Sequence, residues 1–182
     1  MVGRQGLARS PTPMSASQKV HDMSRKKSDD QHWLTPAQQK AWRAYMGLSL
    51  QMTYEMNRQL TEDHGLSLAD YAVLVALADS TDGSRQLTGL ASEIGWERSR
   101  LSHHLKRMCT RGLTERRAPN SDGRATDAVI TAVGRAALLD AAPGHVALVQ
   151  RLFFAGLSDS DVAVLGDTLG RLKAHVKENG SI

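Results

Sequence analysis

The chain has 182 residues, 41% of them hydrophobic and 23% charged, enough to bury one core of ordinary size in a single domain. One cysteine excludes a disulfide framework and a cysteine-clustered zinc site and fits a reducing compartment. The net charge of +4 is concentrated: between Trp96 and Thr126 eight Lys and Arg face three carboxylates, a local +5 that leaves the rest of the chain near −1. Local clusters of this kind bind phosphates, although on charge alone a solvated basic face accounts for it equally well. The longest apolar run, Tyr71 to Ala78, falls far short of the roughly 20 residues a membrane helix needs. Residues 1–13 are polar and punctuated by Pro11 and Pro13, with no basic-then-apolar leader. A cytoplasmic protein with no membrane partner is expected.

Residues 1–30 read as a disordered basic arm of net charge +3, without sustained periodicity. Thr35-Pro36 starts a helix, with Thr as N-cap and Pro at the first helical position. Ala41, Tyr45, Leu48, Met52 and Met56 carry its apolar face up to a stop at Gly65. Ser67 and Asp70 form a capping box opening a second helix, whose face is Tyr71, Leu74, Val75 and Ala78. Thr81 to Ser84 breaks it, and Arg85 to Leu87 is a single strand or an extended linker. Thr88 is expected to cap a short helix carrying Leu90, Ala91 and Ile94. Gly95-Trp96-Glu97 turns the chain into a helix from about Arg98 to Arg111, with Leu101, Leu105 and Met108 facing inward and Gly112 as its stop. Two helices joined by a short Gly-bearing turn, the second one basic, make a helix-turn-helix pattern.

Leu113 to Arg117 and Ala125 to Ile130 read as strands around the turn Pro119 to Gly123. Thr131 caps a helix that is expected to be disturbed near Pro143-Gly144 and to continue through Val146, Val149 and Phe153. Ser158 and Asp161 form another capping box. The last helix then repeats Val162, Leu165, Leu169, Leu172 and Val176 at spacings of 3, 4, 3 and 4, an a/d seam over two heptads. A seam of this length packs against a second copy or within its own chain.

On the basic helix, Ser99, His103, Lys106 and Thr110 lie opposite the apolar stripe, flanked by Arg100, Ser102 and Arg107. Short hydroxyls, an imidazole and cations on one face suit a major groove, where they reach base edges and the flanking phosphates. Arg116, Arg117 and Arg124 fall on the following hairpin, from which a cation can enter a narrow neighbouring minor groove.

This order of elements resembles the MarR family of winged-helix transcription regulators. The stretch Arg98 to Ile130, RSRLSHHLKRMCTRGLTERRAPNSDGRATDAVI, is similar to the family's recognition helix, Gly-Leu exit and wing, and Asp122-Gly123-Arg124 to its Asp-x-Arg wing signature. Cys109-Thr110 departs from the family's usual acidic residue and cation. The resemblance covers residues 33–178 and implies a mainly α fold with a small β wing. Residues 67–130 would form the winged helix-turn-helix lobe, and 31–66 with 131–182 the helices of a homodimer, intertwined as one domain. It further implies binding to a pseudo-palindromic double-stranded DNA operator, with Arg124 in the minor groove and Asp122 steadying it, and regulation as a repressor. Related regulators bind small, often anionic aromatic effectors between the dimer helices and the DNA lobes. Trp42, Tyr45, Tyr54 and Tyr71 could line such a pocket, and equally a helical core or interface.

No phosphate loop, GxSxG, HExxH or CxxC motif is present, so neither an enzyme nor a cofactor is expected. His103 and His104 are adjacent and point about 100° apart on a helix, which does not suit one metal. Cys109 lies in the basic helix, where packing is its expected role. A winged-helix module that binds protein rather than DNA is the alternative, and the Arg concentrated on helix and hairpin speaks against it. A dimerisation domain of a methyltransferase would need a cofactor domain downstream, whereas this chain ends at Ile182.

Overall fold

A computed structural model describes residues 33–117 and 127–181, so the N-terminal arm and the expected turn at Pro119 to Gly123 lie outside the described residues. The chain divides into two compact units, Met1–Ala44 and Tyr45–Ile182. The first helix, α1 (Pro36–His64), has residues 36–44 in the first unit and the remainder in the second. Thr35 caps it reciprocally: its Oγ1 accepts from Gln38 N at 3.2 Å, and Gln38 Oε1 accepts from Thr35 N at 2.8 Å.

The second unit is built around α2 (Leu68–Ala78). Its capping box is as expected, with Ser67 Oγ accepting from Asp70 N and Asp70 Oδ2 from Ser67 N. Its burial is not. Val73, Ala76 and Leu77 are buried along with Leu74, while Tyr71, Val75 and Ala78 are only partly so. A helix that is apolar nearly all round is one covered from several sides. Here α3 (Leu87–Ile94), α5 (Ala132–Val149) and two strands, β1 (Ser84–Gln86) and β3 (Asp127–Ile130), all pack on it. With β2 (Thr114–Arg117) these strands form an antiparallel sheet in the order β1-β3-β2, in which Arg85 pairs with Ala128 and Arg116 with the same Ala128.

The short strand begins one residue earlier than Arg85, and Thr88 is not a cap. The N-cap of α3 is Gln86, whose side chain makes no capping bond. The chain passes directly from a paired strand into the helix to bury Leu87, which leaves Thr88 exposed in the first turn. Gly95 then ends α3 in the left-handed region at φ +69°, and Trp96 N bonds back to Ala91 O at 2.8 Å, a close that glycine adopts without Cβ strain. After it comes α4 (Arg98–Thr110), with Leu101, Leu105 and Met108 fully buried in the core.

Thr131 caps α5 and does more. Its Oγ1 accepts from Gly134 N at 3.0 Å and donates to Gly112 O at 2.6 Å, tying the start of α5 to the exit of α4. The helix runs unbroken through Pro143, contrary to the disturbance expected there. Pro143 and Gly144 are both exposed, so water can satisfy the backbone carbonyl that proline leaves without a donor. The irregularity comes later, as a π-helical segment, Gln150–Phe154. The last helix, α6 (Asp159–Asn179), opens with the expected Ser158/Asp161 capping box and has no buried residue.

Candidate nucleic-acid interface

The solvent face of α4 carries the side chains expected there. Ser99, Arg100, His103, Lys106, Arg107 and Thr110 are exposed and Ser102 is half-buried. Several are already engaged. Arg100 lies over the Trp96 ring, 4.2 Å from its centroid. Thr110 Oγ1 donates back to Lys106 O at 3.1 Å. From the neighbouring strand β2, Arg116 Nη2 donates to Ser102 O at 2.7 Å and to Ser102 Oγ at 2.9 Å. Arg117 Nη2 pairs with Glu115 Oε1 at 2.9 Å, both side chains half exposed. The side chains of Ser99, His103 and Lys106 make no hydrogen bond or ion pair among the described residues. Asp122 and Arg124 lie outside them. An open groove of about 590 Å³ runs between α4 and β2, lined by Lys106, Cys109, Thr114, Glu115 and Arg116. Cys109 is half-buried there, its Sγ 3.5 Å from Thr114 Oγ1.

Behind this face lies a charged cluster that the helical wheel did not reveal. Asp70 is only 3% exposed. Arg111, just past the end of α4, donates to Asp70 Oδ2 at 2.7 Å and with its other nitrogen to Gly65 O at 2.7 Å. His104 is buried, with Nε2 2.9 Å from Asp70 Oδ1, close enough for strong attraction although off the line of the N–H bond. Its Nδ1 faces Arg107 Nη2 at 2.9 Å; guanidinium only donates, so Nδ1 accepts and the ring proton sits on Nε2, toward Asp70. Trp96 packs edge-on against the same ring, centroids 5.3 Å apart. Burial alone would raise the Asp70 carboxyl, but His104, the Ser67 backbone and hydroxyl, and Arg111 together hold it well below the usual carboxylate range. The cluster joins the end of α1, the start of α2, and the middle and C-terminal end of α4. Asp70 had appeared only as a capping residue and Arg111 only as one more cation. The available signal was His104 itself, three residues from Leu101 and four from Met108, on the edge of the apolar stripe.

Of the four aromatic candidates for an effector pocket, Trp42 is exposed and belongs to the first unit, and the three tyrosines belong to the second. Tyr45 and Tyr54 are nine residues apart on one helix, which sets them on opposite sides, about 180° apart, and both are exposed. Tyr71 is half-buried against the core and contacts His145, ring centroids 4.5 Å apart. Burial raises the Tyr71 hydroxyl and lowers the His145 imidazole, favouring the neutral form of each. His145 Nδ1 and Gln59 Oε1 are buried with no hydrogen-bond partner among the described residues. On α6, Leu165 is half-buried, and Val162, Leu169, Leu172 and Val176 are 37% to 66% exposed. No group of three or more His, Cys, Asp or Glu among the described residues is placed to hold a metal ion. No helix among them is long and apolar enough to cross a membrane.

A small antiparallel sheet set against a helix-turn-helix, with a cation-bearing second helix, defines a winged helix-turn-helix protein. No family model matches the sequence, and no curated protein does. Solved structures do. AbsC, a MarR family transcriptional regulator from Streptomyces coelicolor, is 32% identical with a TM-score of 0.76, over 82% of this chain and 100% of that one. Sco3205, a MarR family regulator from the same organism whose structure is in complex with DNA, is also 32% identical with a TM-score of 0.76, over 82% and 93%. CouR from Rhodococcus jostii RHA1, bound to p-coumaroyl-CoA, is 26% identical with a TM-score of 0.63, over 70% and 87%. The chain belongs to the MarR family of transcriptional regulators, and it is not an enzyme.

Proposed function

We propose that the protein is a homodimeric, sequence-specific repressor that binds a pseudo-palindromic duplex in the cytoplasm and is released by a small ligand. The observation that carries the DNA reading is the outer face of α4: Ser99, Arg100, His103, Lys106 and Arg107 point to solvent from a helix whose opposite stripe is fully buried. Cations there meet phosphates and hydroxyls meet base edges. The DNA complex of Sco3205 supports it. With it, Arg124 is assigned to the minor groove and Asp122 to steadying Arg124.

Dimerisation through α1 and α6 is supported by the exposed seam from Val162 to Val176 and by Leu48 and Leu50, also exposed on α1. The ligand reading is supported by the p-coumaroyl-CoA complex of CouR. Within this chain its best-supported place is Tyr71 and His145, where His145 Nδ1 is buried with no hydrogen-bond partner among the described residues.

The decisive experiment selects bound sequences from random duplex DNA, then screens small aromatic acids by gel shift on the selected site. Two half-sites spaced by about 10 base pairs, or a multiple, are the expected result. Retention of no duplex even at low salt would favour the protein-interaction module instead. A compound that stabilises the protein and leaves DNA affinity unchanged would exclude a ligand switch at the site it fills.

A further inference from the structure

We infer that Arg116 is a positioning residue that turns Ser102 into a dedicated hydrogen-bond donor, so that Ser102 reads an acceptor on one base pair of the major groove. The inference rests on the DNA-binding reading above and deepens it.

A free serine hydroxyl is ambivalent, since it can donate or accept and can therefore face either kind of base edge. Ser102 is not free. Arg116 Nη2 donates to it twice, to the backbone oxygen at 2.7 Å and to Oγ at 2.9 Å. A guanidinium has no acceptor, so the hydroxyl proton cannot return to Arg116. Serine and threonine in helices often spend that proton on the carbonyl four residues back. Thr110 does so, onto Lys106 O, but Ser102 makes no such bond among the described residues.

The Ser102 proton is thus left for an outside partner. Accepting from a cation polarises the hydroxyl and strengthens it as a donor, while the nearby positive charge disfavours a second incoming donor. In the major groove the matching groups are purine N7, guanine O6 and thymine O4; the cytosine and adenine amino groups do not match. Ser99, His103 and Lys106, at the i−3, i+1 and i+4 positions, surround Ser102 on the same exposed face. Arg116 would therefore act through Ser102, from a strand that itself need not reach a base.

The test is selection from random duplex DNA with the full-length wild type, Ser102→Ala, Arg116→Met and the double variant, each checked first for an unchanged melting temperature. Both single variants should lose preference at the same base pair, by about fivefold, the size of one hydrogen bond. The double variant should lose no more than either single one. In the wild type, a base analogue that deletes or weakens the acceptor at that pair (7-deazapurine for N7, 4-thiothymine for O4) should reproduce the loss, and it should add nothing in Ser102→Ala. Suppose instead that Arg116→Met weakens all sequences alike, flattens the salt dependence by about one phosphate and leaves that base preference intact. Arg116 is then a phosphate anchor and the inference falls. It falls too if Ser102→Ala changes the preference and Arg116→Met does not. A wild type that selects no sequence at all would overturn the DNA reading itself, an outcome distinct from the other two.

Discussion

At the scale of single residues, the cations of this protein divide by what they touch. The Lys106 side chain is unengaged among the described residues, whereas Arg111 is spent on Asp70 and the Gly65 carbonyl. Asp70→Asn should therefore destabilise the fold by about 2–3 kcal/mol in urea unfolding, because it leaves Arg111 and His104 facing a neutral amide in a largely buried site. The sign of the pH dependence follows from the depressed carboxyl. Asp70 stabilises the fold fully above the ordinary carboxylate value of 3.8, and that stabilisation is lost as pH falls below it toward the folded-state value. Acid unfolding of Asp70→Asn should be correspondingly shallower between about pH 4 and pH 2. If Arg124 enters the minor groove as proposed, Arg124→Ala should cost about 1–3 kcal/mol of specific affinity in binding titrations, the scale of one good arginine contact. Asp122→Ala separates two roles. Removing a negative charge near DNA should tighten binding if the residue acts only as a charge, and weaken it if the carboxylate orients Arg124. Titrations at two salt concentrations decide, and we expect weakening at both.

At the scale of elements, α5 offers a contrast between two of its glycines. Helix propensity favours alanine over glycine by up to about 1 kcal/mol at either. At Gly134, however, an added Cβ would lie 2.0 Å from Leu113 O, a backbone atom held by the Thr131 bonds between α5 and the exit of α4. At Gly144 it would meet Gln59 Nε2 at 3.1 Å, the far end of a flexible side chain. Gly134→Ala should thus lower stability by about 1–3 kcal/mol as overpacking does, while Gly144→Ala should be near neutral or slightly stabilising. Thermal unfolding of the two variants checks both signs. Displacing Leu113 would also disturb the chain just before β2, so Gly134→Ala should weaken DNA binding as well.

For the whole molecule, the proposed dimer rests on the exposed seam of α6. A helix with apolar residues at 3-4-3-4 spacing and no buried residue has its apolar face largely unmet among the described residues. Leu169→Glu combined with Leu172→Glu should leave helix content nearly unchanged and shift sedimentation from dimer to monomer at micromolar concentration. Operator affinity should fall with it, since one recognition helix per monomer then binds without its partner. A double variant that still sediments as a dimer would move the interface elsewhere.

Much of this protein was legible in its residues because it rests on local rules. The capping boxes at Ser67 and Ser158, the turn at Gly95, the stripe of Leu101, Leu105 and Met108 and the basic face opposite follow from short-range periodicity and backbone sterics, and all of them stand in the fold. Thr88 failed as a cap because strand pairing between β1 and β3 set where the chain could turn, a contact some forty residues away in sequence. The buried faces of α2 were misjudged because a uniformly apolar run carries no period to read. The Asp70–Arg111 pair and the Arg116–Ser102 contact span 41 and 14 residues, respectively. The sequence determined that a basic helix would show its polar face to solvent. Only the tertiary structure decided which of those polar groups are already bound to one another, because hydrogen bonds between distant segments depend on where packing brings them, and no spacing along the chain encodes that.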